Sequence, residues 1–495
     1  MAVNSHLKWL DFKDFTKGIW TKGSSFTMPP DHFQVMEDCY PQPEGGLRAF
    51  FKPSTSTVTL SGIGDATNER VIAFSSIITS TGTAYLMVTK HVTTGLLKGY
   101  FWGVGDSAWT LQKTFTAHGD GYANGGFAEI IQYHDNTNGR NVWIVGVTHA
   151  KSDGTEDGWW LVRWDTASWT RINSTTYTGV GIVQYQSRIV GAALNTLWWT
   201  DPGTITTPSA DNYSTIQSGH NDVRDIITNL VPYSPSQLLV STMGSGWWVL
   251  DGDIEDPIVR QMGADHNADF NQKIVVTENG AIFYEKERGT FMTQNMGANF
   301  APVDDNLVPW TADSQQGFGF LNGFLFAPSG RVWDMATSAW FTLSDAATSY
   351  SAFEQPLHVV NGVALSKGVF IPQFKASASM LHYALDDRNS SRAESYRVKT
   401  APLQAGDGRQ AAIREVEVMV KSYHADSTVA VTVNGTTRTS NPIPVGTNVI
   451  RLTFNEVAEY LDVQVAPASN EAGYEAPTIE QFRVGTNVGH TVRLL

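Results

Sequence analysis

The sequence predicts an all-β fold: a β-propeller of six or seven blades, with an extended N-terminal arm before it and an antiparallel β-sandwich after it. Three observations carry this prediction. From about residue 60 to 400, short apolar runs follow one another, each bounded by Gly, Asn, Asp, Ser or Thr, and helical periodicity is missing throughout. Aromatic residues recur at the ends of these runs, at Trp102, Trp160, Trp199, Trp248, Tyr284, Trp333 and Tyr383. Their gaps of 58, 39, 49, 36, 49 and 50 residues fit the roughly 40–50 residues of a four-stranded blade. From residue 414 onward, apolar and polar residues alternate strictly, as in sheets with one buried face. The expected domains are an arm over 1–60, a propeller-like body over 61–398 and a sandwich over 399–495.

The arm holds "LDFKDFTKGIW", "TMPPDHF" and "GGLRAFFKP". Pro29-Pro30 forces extended backbone, because each ring fixes its own φ and disfavours helix at the residue before it. "DHFQVMEDCY" is expected to form one helical turn or two, with Asp31 as N-cap and Phe33, Met36 and Tyr40 along one face. Gly45-Gly46 permits a sharp reversal, and "LRAFFKP" reads as a strand stopped by Pro53.

In the body, "RWDTASWTRI" (163–172) resembles "RVWDMATSAWFTL" (331–343) and, more loosely, "YFWGVGDSAWTLQ" (100–112). Each reads as an outer hairpin. An Asp in the turn can bond its own downstream amides, and the Trp of the return strand packs toward the next unit. "ENG" at 278–280 and "LNG" at 321–323 are tight-turn material. In the sandwich, Val416, Val418 and Val420 face one way. Val429, Val431 and Val433 repeat the pattern before Asn434-Gly435, a type I′ hairpin signal. "KTAPLQAGDGRQAA" (399–412) is the expected linker.

Composition narrows the function. Of 495 residues, 41% are hydrophobic and 17% charged, enough for a core and too little charge for disorder. Gly (44) and Trp (16) are frequent, which suits short strands joined by turns. The net charge is −14, and an acidic surface argues against sequence-specific nucleic-acid binding. One cysteine, Cys39, can form neither an internal disulfide nor a thiolate zinc site. "MAVNSHLKWLDFKDF" lacks the pattern of a secretory signal, and no window approaches the roughly 18 apolar residues of a membrane span. Synthesis in cytoplasm is expected.

The search for chemistry assigns no catalytic, cofactor-binding or metal residue. "GDGYANGG" (119–126) lacks the strand-to-helix context and the Lys-Ser/Thr of a phosphate loop. "LDGDIED" (250–256) and "DNTNGRN" (135–141) do not match the twelve-residue calcium loop. "KSDGTEDGWW" (151–160) resembles the Ser-x-Asp-x-Gly-x-x-Trp box of sialidase blades, but Gly154 stands where that box needs its Asp. His118, His134, His149 and His490 are scattered, without metal-ligand spacing. There is no Gly-x-Ser-x-Gly elbow, and no base can be named for Cys39. No carboxylate pair stands out among the 48 acidic residues. A non-enzyme without cofactors is expected.

The arm, "LDFKDFTKGIW … TMPPDHFQVMEDCYPQPEGGLRAFFKP", resembles the opening of tail structural proteins from tailed bacteriophages. The matching residues are Asp14, Phe15, Gly18, Pro29, Pro30, Met36, Asp38, Cys39, Pro41, Gly45, Gly46, Leu47 and Arg48. With a propeller body, the chain is similar to the tail nozzle of short-tailed phages and to propeller-bearing minor tail proteins of long-tailed ones. The resemblance covers under a tenth of the chain, and the region 399–495 is an addition to it that reads as a sugar-binding or docking module.

The resemblance implies a structural virion protein: a homo-oligomeric ring in the tail, touching neighbouring tail proteins and lining a DNA exit path used in ejection. Asp14, Phe15, Gly18, Pro29, Pro30, Gly45, Gly46, Leu47 and Arg48 would then be the assembly segment. The alternative is a tail-tip propeller that binds a host surface glycan or receptor by stacking Trp on sugar rings. A propeller glycoside hydrolase is the less favoured third reading. "GWW" at 158–160 and 246–248 and "LWW" at 197–199 bear on the choice, because strand side chains alternate and one Trp of each pair should face outward.

Overall fold

The computed structural model describes residues 7–22, 28–29, 32–55, 59–65, 68–115, 127–148, 158–172, 180–193, 195–206, 208–216, 226–263, 266–268, 274–285, 288–294, 299–305, 307, 318–327, 330–346, 353–356, 359–360, 363–364, 367–373, 379–383, 385, 391–405, 411–458, 460–486 and 492–494. Among these the regular structure is strand, apart from one 3-10 turn at Ser344–Ala346.

Among the described residues, seven four-stranded antiparallel units succeed one another along the chain. Blade one spans 69–114, blade two 127–171, blade three 180–215, blade four 227–263, blade five 275–302 and blade six 319–342. Blade seven takes three strands from 353–383, and its outermost strand, Ser54–Thr55, comes from the start of the chain. Thr55 pairs with Leu381 and Ser54 with His382. The innermost strands of blades one and seven also pack together, so the ring closes between the two ends of the body. Closure removes the free sheet edges that a linear row of blades would expose.

Turn chemistry sets the hairpins. Asn322 and Gly323 adopt φ values of 50° and 83°, the left-handed pair that a type I′ turn needs, and Asn434-Gly435 does the same in the sandwich. In the 331–343 hairpin, Asp334 accepts from Ala336 N at 3.0 Å and Thr337 Oγ1 at 2.6 Å. The seven aromatics that gave the spacing fall one to a blade. Six lie on the third strand, and Tyr284 lies on the second strand of blade five.

The sandwich packs two sheets over a core that includes Phe12, Phe33, Met36, Val418, Val431 and Phe482. Removing each such side chain from water stabilises by about 1.5–3 kcal/mol. One sheet runs in the order Cys39–Pro41, Leu47–Ala49, Thr478–Thr486, Ala411–Ser422, Gly446–Ala458, with Lys8–Phe12 also paired to Thr478–Thr486. The other continues blade six. From its outer strand Ala339–Thr342 the order is Phe33–Glu37, Arg397–Thr400, Val463–Ser469, Ser427–Val433, Thr436–Thr439. The arm therefore fastens the propeller to the chain's own sandwich.

One expectation is corrected here. Residues 33–37 and 39–41 are strands, not helical turns. Phe33 and Met36 are both buried at a spacing of three, which mimics a helix face. The spacing comes from a register shift between Phe33 and Val35, where the strand bulges against Arg397–Thr400. Asp38, at φ 58°, then breaks the ladder before Cys39.

Candidate functional site

The residues singled out in the arm serve internal docking. Asp14 accepts from Thr16 N (3.0 Å) and Thr16 Oγ1 (2.7 Å), and the hydroxyl bond holds its carboxyl below the ordinary value. Phe15 is buried 5.4 Å from the Phe33 ring. Gly18 adopts φ 64°, and a Cβ there would lie 2.6 Å from Trp340 N and O, so the arm touches the blade-six backbone directly. Pro29 O accepts from His32 N at 3.1 Å; Pro30 lies outside the described residues. Gly45 and Gly46, at φ 98° and 90°, turn the hairpin that sets buried Leu47 opposite Ile479. Arg48 pairs with Glu475 at 3.3 Å. Cys39 is buried, and burial pushes its thiol well up, away from the reactive thiolate.

The acidic turns are self-satisfied. Asp135 accepts from Thr137 N and Asn138 N, and Asp253 from Glu255 N. His134 bonds Asn141 at 2.8 Å. "GDGYANGG", residues 151–157, His118, His149 and His490 lie outside the described residues. One cluster went unseen in the sequence, because its members sit on two loops of the sandwich: His424, Asp426 and Glu471. Asp426 N donates to His424 Nδ1 at 3.4 Å, which leaves Nε2 to donate to Glu471 at 2.7 Å. In that tautomer His424 offers a metal no free lone pair.

On the propeller, a small recess between the inner strands of blades two and three is lined by Phe127, Ala128, Glu129, Gly146, Thr148, Gly181 and Ile182. Glu129, its one carboxylate, accepts from Ile182 N at 3.0 Å. Glycoside hydrolysis needs two carboxyl groups about 5–9.5 Å apart, and this lining supplies one.

The tryptophans repeat with a constant facing. Trp102, Trp160, Trp248 and Trp333 sit on third strands and turn toward the preceding blade. Trp102 packs with Met380 of blade seven, Trp160 with Phe115 of blade one, and Trp248 with blade three. Trp333 stands opposite Trp340, whose Nε1 donates to Val303 O of blade five at 2.6 Å. In blade three this position belongs to Trp198, one residue before the Trp199 that the spacing selected. Trp199 packs toward blade four instead.

The surroundings of Trp198 differ from those of its counterparts. It pairs across the hairpin with Tyr213, the rings 5.2 Å apart and inclined at 37°. Tyr213 is 51% exposed, whereas Trp333 and Trp340 are 4% and 2% exposed. Behind the pair, Gly191 lies opposite Trp198, and its missing side chain admits Trp159 of blade two, whose Cζ2 lies 2.6 Å from where a Cβ would be. Thr196 and Thr215 flank the rings on the same face. At the strand end, Asn212 Nδ2 donates to Asp201 Oδ1 at 2.9 Å. The result is a tilted two-ring apolar surface edged by hydroxyl, amide and carboxylate groups.

Several solved structures are distantly similar to the chain. The exo-β-1,3-galactanase of Phanerochaete chrysosporium with galactose is 10% identical over 88% of this chain and 100% of its own, with a TM-score of 0.30. YCF48 bound to D1 peptide is 10% identical over 67% of this chain and 99% of its own, with a TM-score of 0.36. BamB from Moraxella catarrhalis is 9% identical over 66% of this chain and 94% of its own, with a TM-score of 0.32. No protein-family model matches the chain, and no curated protein does. At this identity no activity carries over. The expectation of a structural phage-tail component lining a DNA exit path is corrected: these similar structures are a galactanase and other propeller proteins, none of them a tail component.

Proposed function

We propose that this protein is a carbohydrate-binding propeller that holds a neutral glycan without cleaving it. One observation carries the reading. The cross-strand pair of Trp198 and Tyr213 in blade three carries a ring that is 51% exposed, whereas the corresponding Trp333–Trp340 pair of blade six is buried. Aromatic faces offer rigid apolar area at low entropic cost, and they match the C–H face of a pyranose. Hydroxyl, amide and carboxylate groups at the rim match the vicinal hydroxyls of a neutral sugar.

The test is a glycan array probed with the native chain. Retention of neutral hexose-containing glycans, with no product released on prolonged incubation, supports the reading. Retention of nothing, or release of sugar from bound glycans, overturns it.

A further inference from the structure

We propose that the strand Gly446–Ala458 is a self-association edge, pairing antiparallel with the same strand of a second copy of this chain about a two-fold axis at Val449. The strand is 13 residues long and ends the order of its sheet, so among the described residues one of its sides has no ladder partner. Long open edges template pairing, and proteins usually blunt them with Lys, Pro or brevity. This strand contains neither Lys nor Pro.

Register selects the axis. Pairing with Ala411–Ser422 shifts between Ile413 and Glu415, opposite Glu456 and Thr453, so the regular ladder covers 446–453. Along that segment Thr447, Val449, Arg451 and Thr453 are exposed in alternation. Val449 is 50% exposed and stands opposite Met419, which itself pairs with Gln481, so the row ends in an apolar pair at the open edge. An axis at Val449 continues that row through Val449 and Met419 of the second copy. It sets Arg451 opposite Thr447, and Val445, 65% exposed, opposite Thr453. An axis at Arg451 would place two guanidinium groups face to face, which is unfavourable. An axis at Ile450 would oppose each Val449 with an arginine. Arg451 keeps its bond to Glu417 at 2.8 Å throughout. Such a contact uses the same patch twice and closes at two copies.

Sedimentation of the full chain at micromolar concentration tests this, independently of any glycan. The native chain is expected to be dimeric. Val449→Lys, which sets two ammonium groups at the axis, is expected to weaken the dimer at least tenfold. Val457→Lys, beyond the shift and 47% exposed in the native chain, is expected to leave it intact. With Cys39 buried, Val449→Cys should crosslink to itself on oxidation. A monomeric native chain, a dimer indifferent to Val449→Lys, or no Val449→Cys crosslink overturns the proposal.

Discussion

At the residue scale, the same side chain reads differently according to what covers it. Trp198 repeats a facing found on the third strands of other blades, and its cross-strand partner Tyr213 is half-exposed. Tyr213→Ala is expected to weaken glycan binding about tenfold, the loss of roughly 1.4 kcal/mol of stacking. Thermal unfolding should barely move, because the ring is a surface group. Gly191 has the opposite role. Gly191→Ala forces a methyl to within 2.6 Å of Trp159 and should lower stability by about 1–3 kcal/mol in denaturant titration. Asp304 is a buried acid whose carboxyl desolvation pushes up to about 6, against hydrogen bonds from Thr290 and the charge of Arg331. The folded chain favours its neutral form. Its contribution is therefore full below the ordinary value of 3.8 and is lost as pH rises through about 6. Asp304→Asn should match the native melting temperature near pH 4 and exceed it near pH 7.

At the element scale, strands were legible and their partners were not. Alternation of Val429, Val431 and Val433 marks a half-buried strand, and Asn434-Gly435 marks its turn. Nothing local shows that Phe33–Glu37 lies between Ala339–Thr342 and Arg397–Thr400, hundreds of residues away. The bulge after Phe33 gave a helix-like spacing to a strand. Trp198 was missed in favour of Trp199 because spacing finds the strand, whereas only pairing shows which of two adjacent rings faces which blade. If the arm is a structural part of the sandwich, Phe12 matters greatly: it stacks on Phe482 with centroids 4.6 Å apart. Phe12→Ala should cost about 3–5 kcal/mol. Hydrogen exchange should show the loss first along Thr478–Thr486, the strand that Lys8–Phe12 pairs with.

At the scale of the whole molecule, a propeller of six or seven blades was readable from the recurring aromatics, and the strand pairing sets the number at seven among the described residues. The closing strand at Ser54–Thr55 was not, because two residues carry no periodicity. The candidate site was legible only as a class, Trp on an outer hairpin. Its location depends on where the preceding blade stops covering the surface, which is a property of packing. The central claim is that the aromatic pair of blade three, Trp198 and half-exposed Tyr213, holds a neutral glycan. Calorimetric titration of the native chain and of the Trp198→Ala, Tyr213→Ala double variant with a neutral oligosaccharide tests it most directly. Saturable binding by the native chain and its loss in a folded double variant are predicted. Equal binding by the two proteins would contradict the account.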